Sequence, residues 1–133
     1  MKDKELQGNE KIEESIAKFK QEMTEENLAV TLTAIRRRMQ EKGQMVVPVE
    51  APAGGGMKIR VMHMNGKNWL GVFTSFEEEL KGSDSIMSTF MADIGQILDM
   101  GIQEPSLEGV VINPWSGKLV LDKALLRVIK GEH

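Results

Sequence analysis

The sequence predicts an α+β domain: a mixed or antiparallel sheet of about five to six strands with helices packed on it, and a helical segment at the N-terminus. Three observations carry this prediction. Up to Gly43 the chain shows two apolar stripes at helical spacing and no strand signal. Asn65-Gly66, the preferred pair for a two-residue hairpin, then sits between two alternating runs. Short β-branched runs follow without the regular strand–helix alternation of a doubly wound fold.

Taken in order, residues 1–9 are polar and read as a frayed end. Ile12, Ile16, Phe19 and Met23 form the stripe of a first helix. Thr24 caps a second, striped by Leu28, Leu32, Ile35 and Met39 and stopped at Gly43. Both stripes are narrow, so each helix needs a partner. Residues 45–49 form a β-branched strand, and Pro48, lacking an N–H, places it at an edge or ends it. Residues 50–56 are a Gly-rich loop. Residues 57–64 alternate as one strand, with Met57, Ile59, Val61 and His63 opposite Lys58, Arg60, Met62 and Met64. After the Asn65-Gly66 turn the return strand spans 67–74. It sets Trp69, Gly71 and Phe73 on one face and Leu70 and Val72 on the other.

Ser75, with Glu78 three residues on, forms a capping box for a short helix running to Lys81 and closed by Gly82. Residues 86–91 read as a strand, followed by a helix carrying Ile94, Ile97 and Leu98 and stopped at Gly101. Residues 103–106 are loop. Gly109-Val110-Val111-Ile112 is a buried-strand signal, broken by Asn113-Pro114-Trp115-Ser116-Gly117 before the strand Leu119-Val120-Leu121. Asp122 caps a final helix from Lys123 to Lys130, with Leu121 stapled to Leu126.

A chain of 133 residues is long enough to bury a core as one domain without staples. Hydrophobic residues make up 41% and charged residues 28%, and neither value points to a disordered or membrane-embedded class. Aromatics are scarce and Met is abundant, at 10 residues; most of these Met sit among other apolar residues and are expected to fill core gaps that rings would otherwise occupy, the alternative being an adaptable binding groove. Without Cys there is no disulfide, thiolate nucleophile or Cys-based zinc site. The N-terminus is charged where a signal peptide would be apolar, and no apolar run approaches the roughly 20 residues that span a bilayer. A cytoplasmic protein with no membrane association is therefore expected. The net charge of -3 argues against a nucleic-acid partner.

Three segments resemble the SseB N-terminal domain family. The stretch from Gly109 through Asn113-Pro114-Trp115 to Leu121 is similar to the family's strand–turn–strand segment before its last helix. Val46-Val47-Pro48-Val49 is similar to its early strand, and Val72-Phe73-Thr74-Ser75 to the strand end before its short helix. The resemblance covers roughly residues 24–130, which makes 1–23 an N-terminal helical extension and 24–133 the SseB-like domain. It implies a mixed α/β domain and supplies no catalytic residue. The family label, enhanced serine sensitivity, names a phenotype.

The residues themselves offer little reactive chemistry. His63 is the single internal His and has no visible orienting partner or second ligand at metal spacing. Ser75 is explained by its cap, and Ser88 and Ser116 lie in no nucleophile elbow. Gly54-Gly55-Gly56-Met57-Lys58 lacks phosphate-loop spacing and precedes a strand. Arg36-Arg37-Arg38 reads as a solvated face, and Glu77-Glu78-Glu79 as negative charge at a helix start. No catalytic residue, metal or cofactor is assigned. The expected function is a non-catalytic binding module that presents Trp69, Asn113, Pro114 and Trp115 to a protein partner or to another copy of itself. Trp is an efficient anchor when partly exposed, while the plainer role of Asn113-Pro114-Trp115 is a structural turn. The alternative, suggested by the family label alone, is a small-molecule sensor linked to amino-acid (serine) metabolism.

Overall fold

The computed structural model describes residues 6–50, 58–59, 61–81 and 88–131. The fold is α+β, as the sequence predicts. Two helices open the chain, α1 (Glu10–Gln21) and α2 (Glu25–Gln40). They are followed by β1 (Gln44–Glu50), β2 (Lys58–Ile59), β3 (Val61–Met64), β4 (Lys67–Val72), α3 (Phe76–Leu80) and β5 (Ser88–Asp93). The chain continues with α4 (Ile94–Gln103), β6 (Gly109–Ile112), β7 (Leu119–Asp122) and α5 (Lys123–Lys130). Among the described residues no helix is long and apolar enough to cross a membrane.

The strands form two sheets, ordered β2-β1-β5 and β3-β4-β6-β7. The second is mixed: β4 and β6 run parallel, with Leu70 opposite Val110 and Val72 opposite Ile112, and its other pairs are antiparallel. Among the described residues one isolated bridge joins the sheets. Val46 and Phe73 exchange both backbone bonds, at 2.8 and 2.9 Å.

Alternation sorts the four-stranded sheet into two faces. Leu70, Val72, Val110, Ile112, Leu119 and Leu121 look into the main core. The buried apolar residues of α1, α2, α4 and α5 belong to that same cluster, including Ile12, Ile35, Ile97 and Leu126. These helices therefore lie on one side. A smaller cluster of Leu6, Val46 and Phe73 sits on the other side of the seam.

Local signals place the elements. Thr24, Ser75 and Asp122 accept the N–H groups of Asn27, Glu78 and Leu125 at 3.1, 3.2 and 2.9 Å, as their capping patterns predict. The β3–β4 hairpin turns on Asn65 and Gly66, with φ of +53° and +74°. Gly131, at φ +84°, ends α5, and Arg36 donates to the last carbonyls of that helix, Val128 and Ile129, at 2.6 and 2.8 Å.

Several expectations are corrected. Residues 6–9 are not frayed: Leu6 and Asn9 are buried, and Ile12 and Ile16 of the first 23 residues join the main core. Met23 lies past the end of α1 and is exposed. β1 is a central strand. Val46 turns its N–H toward Phe73, and Pro48, two residues on, faces the same way, into the gap between that bridge and β2. The missing N–H therefore breaks no rung. The single strand expected over 57–64 is split between the sheets, β2 pairing with β1 and β3 with β4. Lys42, not Gly43, takes the left-handed conformation after α2, at φ +64°. Gly101 lies inside α4, because a Cβ there would stand 2.7 Å from both Leu126 Cδ1 and Val110 Cγ2. The expected 50–56 loop, apart from Glu50 in β1, together with Met57, the Gly82 stop and Ile86-Met87, lies outside the described residues.

Candidate functional site

The C-terminal ends of the parallel strands β4 and β6 lie side by side, and both chains leave the sheet there. The Asn113 N–H donates to Val72 O at 2.9 Å as the last rung. Asn113 then adopts φ +52°, outside the extended range usual before proline and in the left-handed region that Asn tolerates better than most residues. Its side chain is 3% exposed. Oδ1 accepts the Thr74 N–H at 3.0 Å, and Nδ2 donates to Thr74 Oγ1 at 3.0 Å. The Thr74 hydroxyl in turn donates to the Glu13 carboxylate on α1. The turn closes with the Ser116 N–H donating to Asn113 O at 3.1 Å, and Gly117 rests near Ile16 of α1.

A second buried polar centre fastens the N-terminal segment to the seam. Asn9 Nδ2 donates to Gln44 O at 2.8 Å and to Thr74 O at 3.0 Å, so one amide ties β1 to the end of β4. Asn9 Oδ1 accepts from Arg38 Nε at 2.9 Å, and Arg38 Nη1 meets Glu41 at 3.0 Å. The guanidinium lies so close to the backbone that a Cβ on Gly43 would stand 2.6 Å from its Cζ, and one on Gly8 3.2 Å away. A Cβ at Gly43 would therefore displace this hydrogen-bonded guanidinium.

The fixed turn holds an aromatic ring outside. Trp115 is 40% exposed, with its ring centroid 6.1 Å from that of Phe73. Phe73 is buried at one end of the sheet face that carries no helix core. By register that face also holds Met62, Trp69, Gly71, Val111 and Val120. Met62 lies over Gly71, where a Cβ would meet its Sδ at 2.9 Å, and Pro114 approaches the same spot. Val120 is exposed. Most of this face is covered, with Val111 0%, Phe73 1% and Trp69 8% exposed and Leu6 packed on Phe73, so that among the described residues Trp115, Val120 and part of Met62 are its accessible apolar groups.

Acidic residues flank this end. Lys81 pairs with Glu78 at 2.9 Å, and its ammonium is held above its ordinary value first by that hydrogen bond, with burial opposing and the charges of Glu78, Glu13 and Glu77 adding. Glu79 is buried, its Oε2 has no hydrogen-bond partner, and loss of solvent pushes its carboxyl up from the ordinary value.

The four residues singled out in the sequence are divided by the structure. Trp115 is exposed and Pro114 half-buried. Asn113 is interior and acts as the brace of the turn. Trp69 is 8% exposed, its indole N–H buried without an acceptor, so it underlies the outer face instead of projecting from it. His63 is exposed on β3. Sequence reasoning missed Asn9, Glu13, Arg38 and Thr74. A signal existed for Arg38: Thr31, Ile35 and Arg38 stand at i, i+4 and i+7, and they are the buried face of α2. The arginine run is therefore not one solvated face; Arg36 caps α5 and Arg38 is interior.

Among the described residues no group of three or more His, Cys, Asp or Glu is placed to hold a metal ion. An open cleft of about 420 Å³ between α1 and α2, lined by Lys11, Ser15, Val30, Thr33 and Arg37 among others, lies apart from the turn. Compared with protein-family models, with curated proteins and with solved structures, the chain finds no match.

Proposed function

We propose that the chain is a non-catalytic binding domain of the SseB type that engages a protein partner through the outer face of its four-stranded sheet. One observation carries this reading: at the end of the sheet face opposite the helix core, a 40%-exposed Trp115 is held on a braced turn, with Val120 exposed on the same face. A partly exposed aromatic on a rigid turn is the kind of group that protein interfaces use as an anchor. Thioethers at Met62 and Met64 let such a surface adapt.

The SseB reading rests on the sequence resemblance of three segments. They are β1, the end of β4, and the β6–turn–β7 unit, and they meet at one seam through the Val46–Phe73 bridge and the Thr74–Asn113 bonds. The test is recovery of partners from cells by the immobilised wild-type chain, by Trp115→Ala, and by Val30→Ser, an exposed change on α2. Trp115→Ala is expected to lose proteins that the other two retain. Equal recovery by all three would refute the surface.

A further inference from the structure

We infer that two copies of the chain pair antiparallel through the open edge of β3, with the two-fold axis at Met62. This goes beyond the binding surface proposed above, since edge pairing does not involve Trp115.

The backbone directions follow from β4. Asn68 O accepts the Glu108 N–H at 2.8 Å and Val72 O accepts the Asn113 N–H at 2.9 Å, so the even-numbered residues of β4 turn toward β6. Phe73 turns the other way, to Val46. Lys67 and Trp69 therefore face β3, and their partners Met64 and Met62 face back. This leaves the N–H and C=O groups of Val61 and His63 directed away from the sheet. Among the described residues none of these groups has a backbone partner, and His63 is exposed.

Exposed strand edges are ordinarily blunted by charge or proline. Among the described residues the sheets have four edges: besides β3, β2 begins on Lys58, β5 ends on Asp93, and β7 ends on Asp122, which caps α5. β3 reads Val-Met-His-Met and carries no Lys, Arg, Asp, Glu or Pro. Its four outward groups are self-complementary. In an antiparallel pair, Val61 of one copy and His63 of the other exchange two bonds, and the symmetric pair exchanges two more. Met62 then faces its own counterpart on the two-fold. The outer faces of the two sheets become continuous.

Sedimentation of the full chain from micromolar to millimolar concentration tests this. Wild type is expected to be dimeric at the upper end. His63→Pro removes an outward N–H and leaves every bond to β4 intact, and should raise the dissociation constant roughly tenfold or more. Met62→Cys supplies a second readout in a chain with no other Cys. Opposed residues at such a site stand about 4.5 Å apart, within disulfide range, so oxidation should link two chains. Val120→Cys, on the far edge, should not link them. A wild-type chain that stays monomeric, or a dimer unaffected by His63→Pro, would overturn the inference. Should His63→Pro fail to fold by circular dichroism, failure of Met62→Cys to link dimeric chains would do so. A monomeric chain that still retains partners through Trp115 would refute the dimer and leave the binding surface standing.

Discussion

Replacing Asn113 separates the two things its side chain does. Asn113→Ala leaves the Thr74 N–H buried without an acceptor, a loss of about 1–3 kcal/mol. It also places an ordinary Cβ residue at φ +52°, which adds about 1 kcal/mol that Asn largely escapes. Asn113→Gly removes the same bonds but tolerates the backbone, so it should cost about 1–3 kcal/mol and stay above Ala in stability. Ala should then lose about 2–4 kcal/mol in total. For a chain of this length, about 4 °C of midpoint per kcal/mol corresponds to a fall of roughly 8–16 °C. Urea titration at constant m-value measures the difference directly. If Ala and Gly were equally stable, the positive φ would carry no energy. If both lost less than about 0.5 kcal/mol, the turn would not be braced as described.

Further perturbations follow from the same geometry. Gly43→Ala should destabilise by about 1–3 kcal/mol, because its Cβ collides with the Arg38 guanidinium, and much less in an Arg38→Ala background; a double-mutant cycle reads the coupling. Gly101→Ala should lower stability by about 1–2 kcal/mol in denaturant titration despite its better helix propensity, since Leu126 and Val110 leave no room for a methyl. Glu79 has a folded-state pKa above its unfolded value, so its contribution to stability is fully present below the unfolded value and is lost as pH rises through the folded one. Glu79→Gln should therefore gain stability over wild type at neutral pH and lose that advantage in acid, as measured by thermal melts across pH.

Much of the fold was legible because its signals are local. Thr24, Ser75 and Asp122 declare helix starts through their own side chains, and Asn65-Gly66 declares a hairpin through backbone preference alone. What escaped depends on distant neighbours. Gly43 and Gly101 look like stop signals in sequence. Each is instead small because a side chain from elsewhere, Arg38 or Leu126, presses on it. Pro48 suggested an edge because composition cannot show that its missing N–H faces a gap between two partners. Residues 6–9 looked frayed because Asn9 finds its acceptors at Gln44 and Thr74, far along the chain. Of the site, the Asn113-Pro114-Trp115 turn and its exposed ring were readable. The burial of Trp69 was not, since alternation assigns a face without saying what lies over it.

The central proposal is that this chain binds through Trp115 and the accessible part of the sheet face opposite the helix core. Amide hydrogen exchange on the chain, alone and with a recovered partner, tests it most directly. Added protection at the 114–118 turn and around Val120, with the α1–α2 surface unchanged, is the predicted result. Protection confined to α1 and α2, with the turn exchanging as in the free chain, would contradict it.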